Sequence, residues 1–185
     1  MLSKSAKNKY RSLLFRNLDG ISLLGPISLL TRSKLIELVN NSNSFTLKDV
    51  SSFKQCNLGY MNVTMHLLVC QGWLEINNNI YSKTEKGEMA LDHFYFYEKI
   101  YPYINNLIQC NETLFDNNNP NDYIKDILTI IKGYSDNFNK NNVNNQIYHH
   151  LIGILIGPVL VAIGMSKYYK SILNTNSFSS IKQIC

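Results

Sequence analysis

Four histidines, one pair of carboxylates and four cysteines are the side chains here that could do chemistry, and their spacing limits what each can do. His149 and His150 are adjacent, so on a helix they face different sides. Neither has an acid or second ligand at i+3 or i+4, so the pair is a poor metal site and a surface or capping role is expected. His66 falls within a helix and His93 beside an aromatic cluster. Glu88 and Asp92 lie one helical turn apart, the spacing of paired carboxylates for acid–base work; with Lys86 and Lys99 nearby, a solvated charged face is expected instead. Cys56, Cys70, Cys110 and Cys185 are far apart and form no Cys-x-x-Cys pair, which argues against a zinc or redox motif and for buried or idle thiols in a reducing cytoplasm. No serine or cysteine nucleophile has a base close by in sequence. No strand runs into a glycine-rich turn with a later acidic ribose partner, the usual grip on an adenosyl group. Gly153 and Gly157 do not substitute, being flanked by large apolar residues in a helical run. The expectation is no catalytic, metal or cofactor-binding residue in this chain.

The elements that would position a binding surface are clearer. With 45% hydrophobic and 17% charged residues, the chain has the material for a core. Its net charge of +5 resides in residues 1–40, where Lys4, Lys7, Lys9, Arg11, Arg16, Arg32 and Lys34 face only Asp19 and Glu37. Attraction to a polyanion therefore has to come from that arm. The most apolar run, Leu151–Met165, is shorter than the roughly 20 residues that span a bilayer and is broken by Gly153, Gly157, Pro158 and Gly164, so a core helix is predicted.

Pro26 at a favoured first-turn position opens a predicted helix over 26–39. Thr46 caps a short helix, "LKDVSSF", with Leu47, Val50 and Phe53 inward. A third helix runs from about Tyr60 to Gln71, carries Met61, Met65 and Leu68 on one stripe, and ends at Gly72. "WLEI", a three-residue "NNN" turn and "IYS" form a two-stranded hairpin, after which Thr84 caps another helix. This order predicts a mainly α fold, a winged helix-turn-helix with a small two-stranded wing and flanking helices. Beyond it, Phe94, Tyr97, Tyr101, Ile104 and Ile108 recur at 3-4-3-4 spacing, a seam for a subunit contact, with Pro102 kinking the helix. A further amphipathic helix, 122–134, lies between Asn-rich runs.

The chain also repeats itself. "SKLIELVNNSNSF" (33–45) recurs as "SKYYKSILNTNSF" (166–178), an offset of 133 that also lays Leu18, Gly20 and Ile21 on Leu151, Gly153 and Ile154. The Gly25–Pro26 pair recurs at Gly157–Pro158, one residue out of register. The expected organisation is a winged-helix domain at 1–110, an Asn-rich linker with one helix at 111–146, and the truncated start of a second such unit at 147–185. A first helix and half of a second cannot bury their faces alone, so the chain is expected to be part of something longer.

"LDGISLLGPISLL", "LGYMNVTMHLLVCQGWLE" and "YSKTEKGEMAL" resemble the N-terminal winged-helix region of class I S-adenosylmethionine-dependent methyltransferases, O-methyltransferase-like enzymes and the methyltransferase domains of polyketide and nonribosomal-peptide assembly lines; "HHLIGILIGPVLVAIGM" is similar. The resemblance implies a non-catalytic part that dimerises and roofs a substrate pocket, with Leu18, Gly20, Ile21, Gly25, Pro26, Gly153, Gly157 and Pro158 as lid and core positions. It implies methylation only as part of a longer chain, with S-adenosylmethionine held by a separate downstream domain, no cofactor here, a homodimer or that domain as partner, no membrane, and a cytoplasmic location. The alternative is a small winged-helix transcriptional regulator. Its reading helix, "YMNVTMHLLVCQ", has no charged residue to neutralise phosphates, so DNA is the less expected partner.

Overall fold

The computed structural model describes residues 3–109, 121–137 and 141–165. It is mainly helical, with one small antiparallel sheet. The first helix is longer than expected. α1 runs over Lys4–Arg32, capped by the Ser3 side chain, with Pro26 inside it and not at its start. The backbone bond that Pro26 cannot donate would have gone to the carbonyl of Ser22, which is exposed and can be hydrated. The break comes at Lys34, whose φ of 62° is left-handed, and α2 (Leu35–Asn41) follows. By length and composition α1 is also long and apolar enough to cross a bilayer, unlike the run at 151–165. Its Leu23, Leu24, Ile27 and Leu30 are nevertheless core residues, none more than 2% exposed.

Local signals set the next elements. Thr46 caps α3 (Leu47–Phe53) in a reciprocal box with Asp49. Phe53, expected inward, is exposed, and Val50 alone on this short helix is fully buried. Asn57 accepts from the Tyr60 amide and starts α4 (Leu58–Cys70). Gly72 ends it at φ 72°, with the Gly72 and Trp73 amides donating back to Val69 and Leu68. The hairpin pairs β2 (Leu74–Asn77) with β3 (Ile80–Lys83) across a two-residue turn. Asn77 belongs to the strand, and Asn78 and Asn79 take positive φ, the conformation that fits the right-handed strand twist. A third strand, β1 (Ser44–Phe45), pairs with the other side of β3, giving three strands where two were expected. Phe45 stacks on Tyr81 at 5.7 Å and fixes that register.

Thr84 caps α5 (Glu85–Leu91). α6 (Phe94–Ile100) is separated from α7 (Ile104–Ile108) by a 3₁₀ turn at Tyr101–Tyr103, where Pro102 interrupts the helix as its ring requires. α8 spans Asn121–Asn137 and α9 Asn142–Met165.

α1 and α9 cross at close range through two glycines. A Cβ at Gly20 would overlap the carbonyl of His150, and one at Gly153 would overlap that of Asn17. Each glycine thus faces the carbonyl three residues before the other, and a Cβ on Gly157 would overlap Ile21. The step from the Asn17–Gly153 contact to the Ile21–Gly157 contact runs the same way along both helices, so they are parallel where they cross. The crossing sets Gly20 beside Gly153, the offset of 133 seen in the sequence. The two stretches that this offset aligns are packed on each other; residues 166–178, over which the sequence match continues, lie outside the described residues. Around the crossing, one core joins α1 to α2, α4, α5, α6, α8 and α9.

Space decides the sign of glycine substitutions here. Gly to Ala in a helix gains roughly 0.5–1 kcal/mol, whereas overpacking costs roughly 1–3 kcal/mol. Gly20→Ala and Gly153→Ala should each lower the free energy of urea unfolding by about 1–3 kcal/mol. Gly133→Ala in α8, where a Cβ meets nothing within 4 Å, should raise it by about 0.5–1 kcal/mol.

Candidate functional site

The histidines do not form a reactive site. His150, expected at the surface or at a cap, is 0% exposed. Its Nδ1 lies 2.8 Å from the Tyr97 hydroxyl, and its ring packs 5.7 Å from Trp73. Burial, then the nearby charges of Lys86, His149 and Arg16, push its pKa down to about 3. Burial also drives the Tyr97 hydroxyl well up, so phenol and imidazole stay neutral. His150 Nε2, Trp73 Nε1 and Asn17 Oδ1 are buried with no hydrogen-bond partner among the described residues. This layer is a sealed core. His93 is buried edge-on against Tyr134, its pKa lowered chiefly by burial, and His66 lies exposed beside Tyr81. Glu88 and Asp92 are both exposed, with Lys83 Nζ 4.0 Å from Glu88. Among the described residues no group of three His, Cys, Asp or Glu could hold a metal.

The expected subunit seam is largely spent inside the chain. Phe94 and Tyr97 are 1% and 0% exposed, packed among Trp73, His150 and each other, and so have no surface left for a second subunit. Tyr101 and Ile104 are half-buried, and Ile108 is exposed. The interacting element the spacing could not name is α9, about fifty residues downstream. The expected lid and core positions divide in two. Gly20, Gly153 and Gly157 are buried at the α1–α9 crossing, with Pro158 half-buried next to it, while Leu18 and Ile21, partly open to solvent, reach over Gly157 at its edge. Gly25 and Pro26 line a groove.

That groove, of about 490 Å³, runs between the second half of α1 and the first half of α4. Pro26, Leu29, Leu35, Met61 and Val63 give it apolar walls, and the α3–α4 loop closes one end with Lys54, Cys56 and Asn57. The sequence signals for it were the uncharged outer face of α4 and Gly25; a Cβ on Gly25 meets nothing within 4 Å. Leu29, Tyr60 and Val63 are between 46% and 74% exposed along its rim. A second cleft of about 440 Å³ lies between α4 and the hairpin and is polar, with Asn62, His66, Asn78, Asn79 and Lys48 in its wall. Tyr81, also lining it, donates its hydroxyl to Asn62 Oδ1 at 3.2 Å.

The hairpin cations turn inward. Lys83 Nζ donates to the Asn40 carbonyl at 2.6 Å and is only 16% exposed. Lys86 Nζ donates to the Gln71 carbonyl at 2.8 Å, serving the C-terminal end of α4, and its pKa is lowered by burial and then by Arg16.

Residues 10–76 match the family described as the AprA N-terminal domain. The matched segment takes in every residue of the apolar groove and the α1 side of the helix crossing; α9 lies beyond it. No curated protein matches the chain.

Because His150 titrates near 6.5 when unfolded and near 3 when folded, protons bind the unfolded chain preferentially between those values. Stability present above pH 6.5 should therefore fall as the pH drops, by about 2 kcal/mol between pH 6.5 and 5 at about 1.4 kcal/mol per unit. Urea titrations at pH 7.5 and 5 should show this loss, and His150→Gln, which keeps an acceptor for Tyr97, should remove most of it.

Proposed function

We propose that this chain is the non-catalytic scaffold and substrate-lid part of an S-adenosylmethionine-dependent methyltransferase of the secondary-metabolite type, built on a winged-helix arrangement. The cofactor would be held by a separate domain. The observation that carries this reading is the character of α4. In a winged-helix regulator its counterpart would face DNA and present cations to phosphates. Here it has no charged side chain, and its outer face, with Tyr60 and Val63, forms one wall of an apolar groove of ligand size. The resemblance of "LDGISLLGPISLL" and "LGYMNVTMHLLVCQGWLE" to methyltransferase lid regions supports the same assignment.

The inward-turned Lys83 and Lys86 weaken the regulator alternative further, since each ammonium is committed to a backbone carbonyl. The exposed cations of α1, Lys4, Lys7, Lys9 and Arg11, remain as its support.

Two measurements test the proposal. In gel shifts at physiological salt, generic duplex DNA should show no submicromolar binding; such binding would favour the regulator. Titration calorimetry with S-adenosylmethionine should show no heat of micromolar binding, and micromolar affinity would overturn the non-catalytic assignment.

A further inference from the structure

Among the described residues, the groove between α1 and α4 has a single charged side chain in its wall, and it sits at one end. Lys54 Nζ donates to the Ser33 carbonyl at 3.3 Å, which holds the ammonium beside the last turn of α1. Gly25 marks the other end, eight residues back along the helix, or about 12 Å at ~1.5 Å per residue. Between them the walls are Pro26, Leu29, Met61 and Val63. An ammonium has three donors, and one of them suffices for Ser33. The N-terminal end of α4 opens at Asn57 on the same side as Lys54, and its dipole offsets the negative end of α1, on which the ammonium rests. Among the described residues no carboxylate lines the groove.

One positive end, an apolar length and no acid select an elongated monoanion. We propose that the groove binds an amphiphilic carboxylate, its apolar body along Pro26, Leu29, Met61 and Val63 and its carboxylate on Lys54. This rests on the reading of the groove as a substrate surface and adds the substrate class. A cation is repelled at the only polar end, and a polyanion finds one ammonium where it needs several. Lys54 is exposed, so its contribution is that of a surface ion pair, roughly a three- to fivefold change in affinity.

Decanoate and decanol, titrated into the full chain below the decanoate micelle threshold, separate the possibilities by calorimetry. Both should bind the wild type. Lys54→Met should weaken decanoate about three- to fivefold and leave decanol unchanged. Gly25→Leu fills the groove from a position with open space and should abolish binding of both ligands without lowering the melting temperature; Val63→Asp, on the exposed rim, does the same from the α4 side. Decanoate should also protect half-buried Cys56, in the wall, from maleimide, and leave exposed Cys70 unprotected. Equal loss of both ligands in Lys54→Met, or no loss of decanoate, overturns the carboxylate assignment and leaves the groove reading standing. No binding of either ligand to the wild type overturns both. Decanoate binding that survives Gly25→Leu, or a shift in the sedimentation of the ligand-free chain on that substitution, overturns the proposal by placing the ligand elsewhere or a second copy in the groove.

Discussion

Two glycines, Gly20 and Gly153, let the backbones of α1 and α9 approach until each rests on a carbonyl of the other. Everything packed around that crossing inherits its closeness. His150 stands on α9 beside it and meets Tyr97 of α6 and Trp73 at the end of the α4 turn. Phe94 fills the space between Trp73 and Tyr97. If α9 stood off by the width of a methyl group, this aromatic layer would lose contact on one side, and a void too small for water forfeits dispersion outright. Nothing in the layer is built to react. Its imidazole and phenol are neutral and fully buried.

The groove is the counterpart of that buried layer. Its position follows from two irregular joints: the left-handed Lys34 that turns α1 into α2, and the capped start of α4 at Asn57. These set the far end of α1 and the near end of α4 side by side without filling the space between them. Gly25 keeps one wall low, and Pro26 adds an apolar surface that has no amide to satisfy. Leu29, Tyr60 and Val63 leave apolar surface exposed along the groove's rim, the kind of surface that marks an interaction site where it forms a contiguous patch.

Much of this was legible where the signal is local. Thr46 with Asp49, Gly72 and Thr84 each announce a helix boundary by their own chemistry, and Met61, Met65 and Leu68 show the inward face of α4. Where the partner is distant in sequence, the chain was ambiguous. Phe94 and Tyr97 have the spacing of a seam, and spacing does not say whether the opposite face belongs to another subunit or to α9. His150 is polar by type and was expected at the surface; only the tertiary packing of Trp73, Tyr97 and α1 shows it to be interior. β1 is two residues long, too short to carry a period of two, and Pro26 reads as a helix start because a solvated Ser22 carbonyl is invisible in a sequence. The resemblance marks Gly25 and Pro26 as lid or core positions, and the groove they line depends also on the α3–α4 loop, whose Lys54 and Cys56 belong to no motif.

The crossing also sets the order in which the molecule can be assembled. A ribosome delivers Gly20 133 residues before Gly153, so the notch on α1 stays empty while the whole hairpin and the seven described helices α2 to α8 emerge. Until α9 arrives, the apolar side of α1 has only the nearer elements to shelter it, and a long-range contact of this kind is entropically expensive to close. Newly made chains should therefore spend an interval as an open form with Leu23, Leu24 and their neighbours incompletely covered, the state in which such helices find wrong partners.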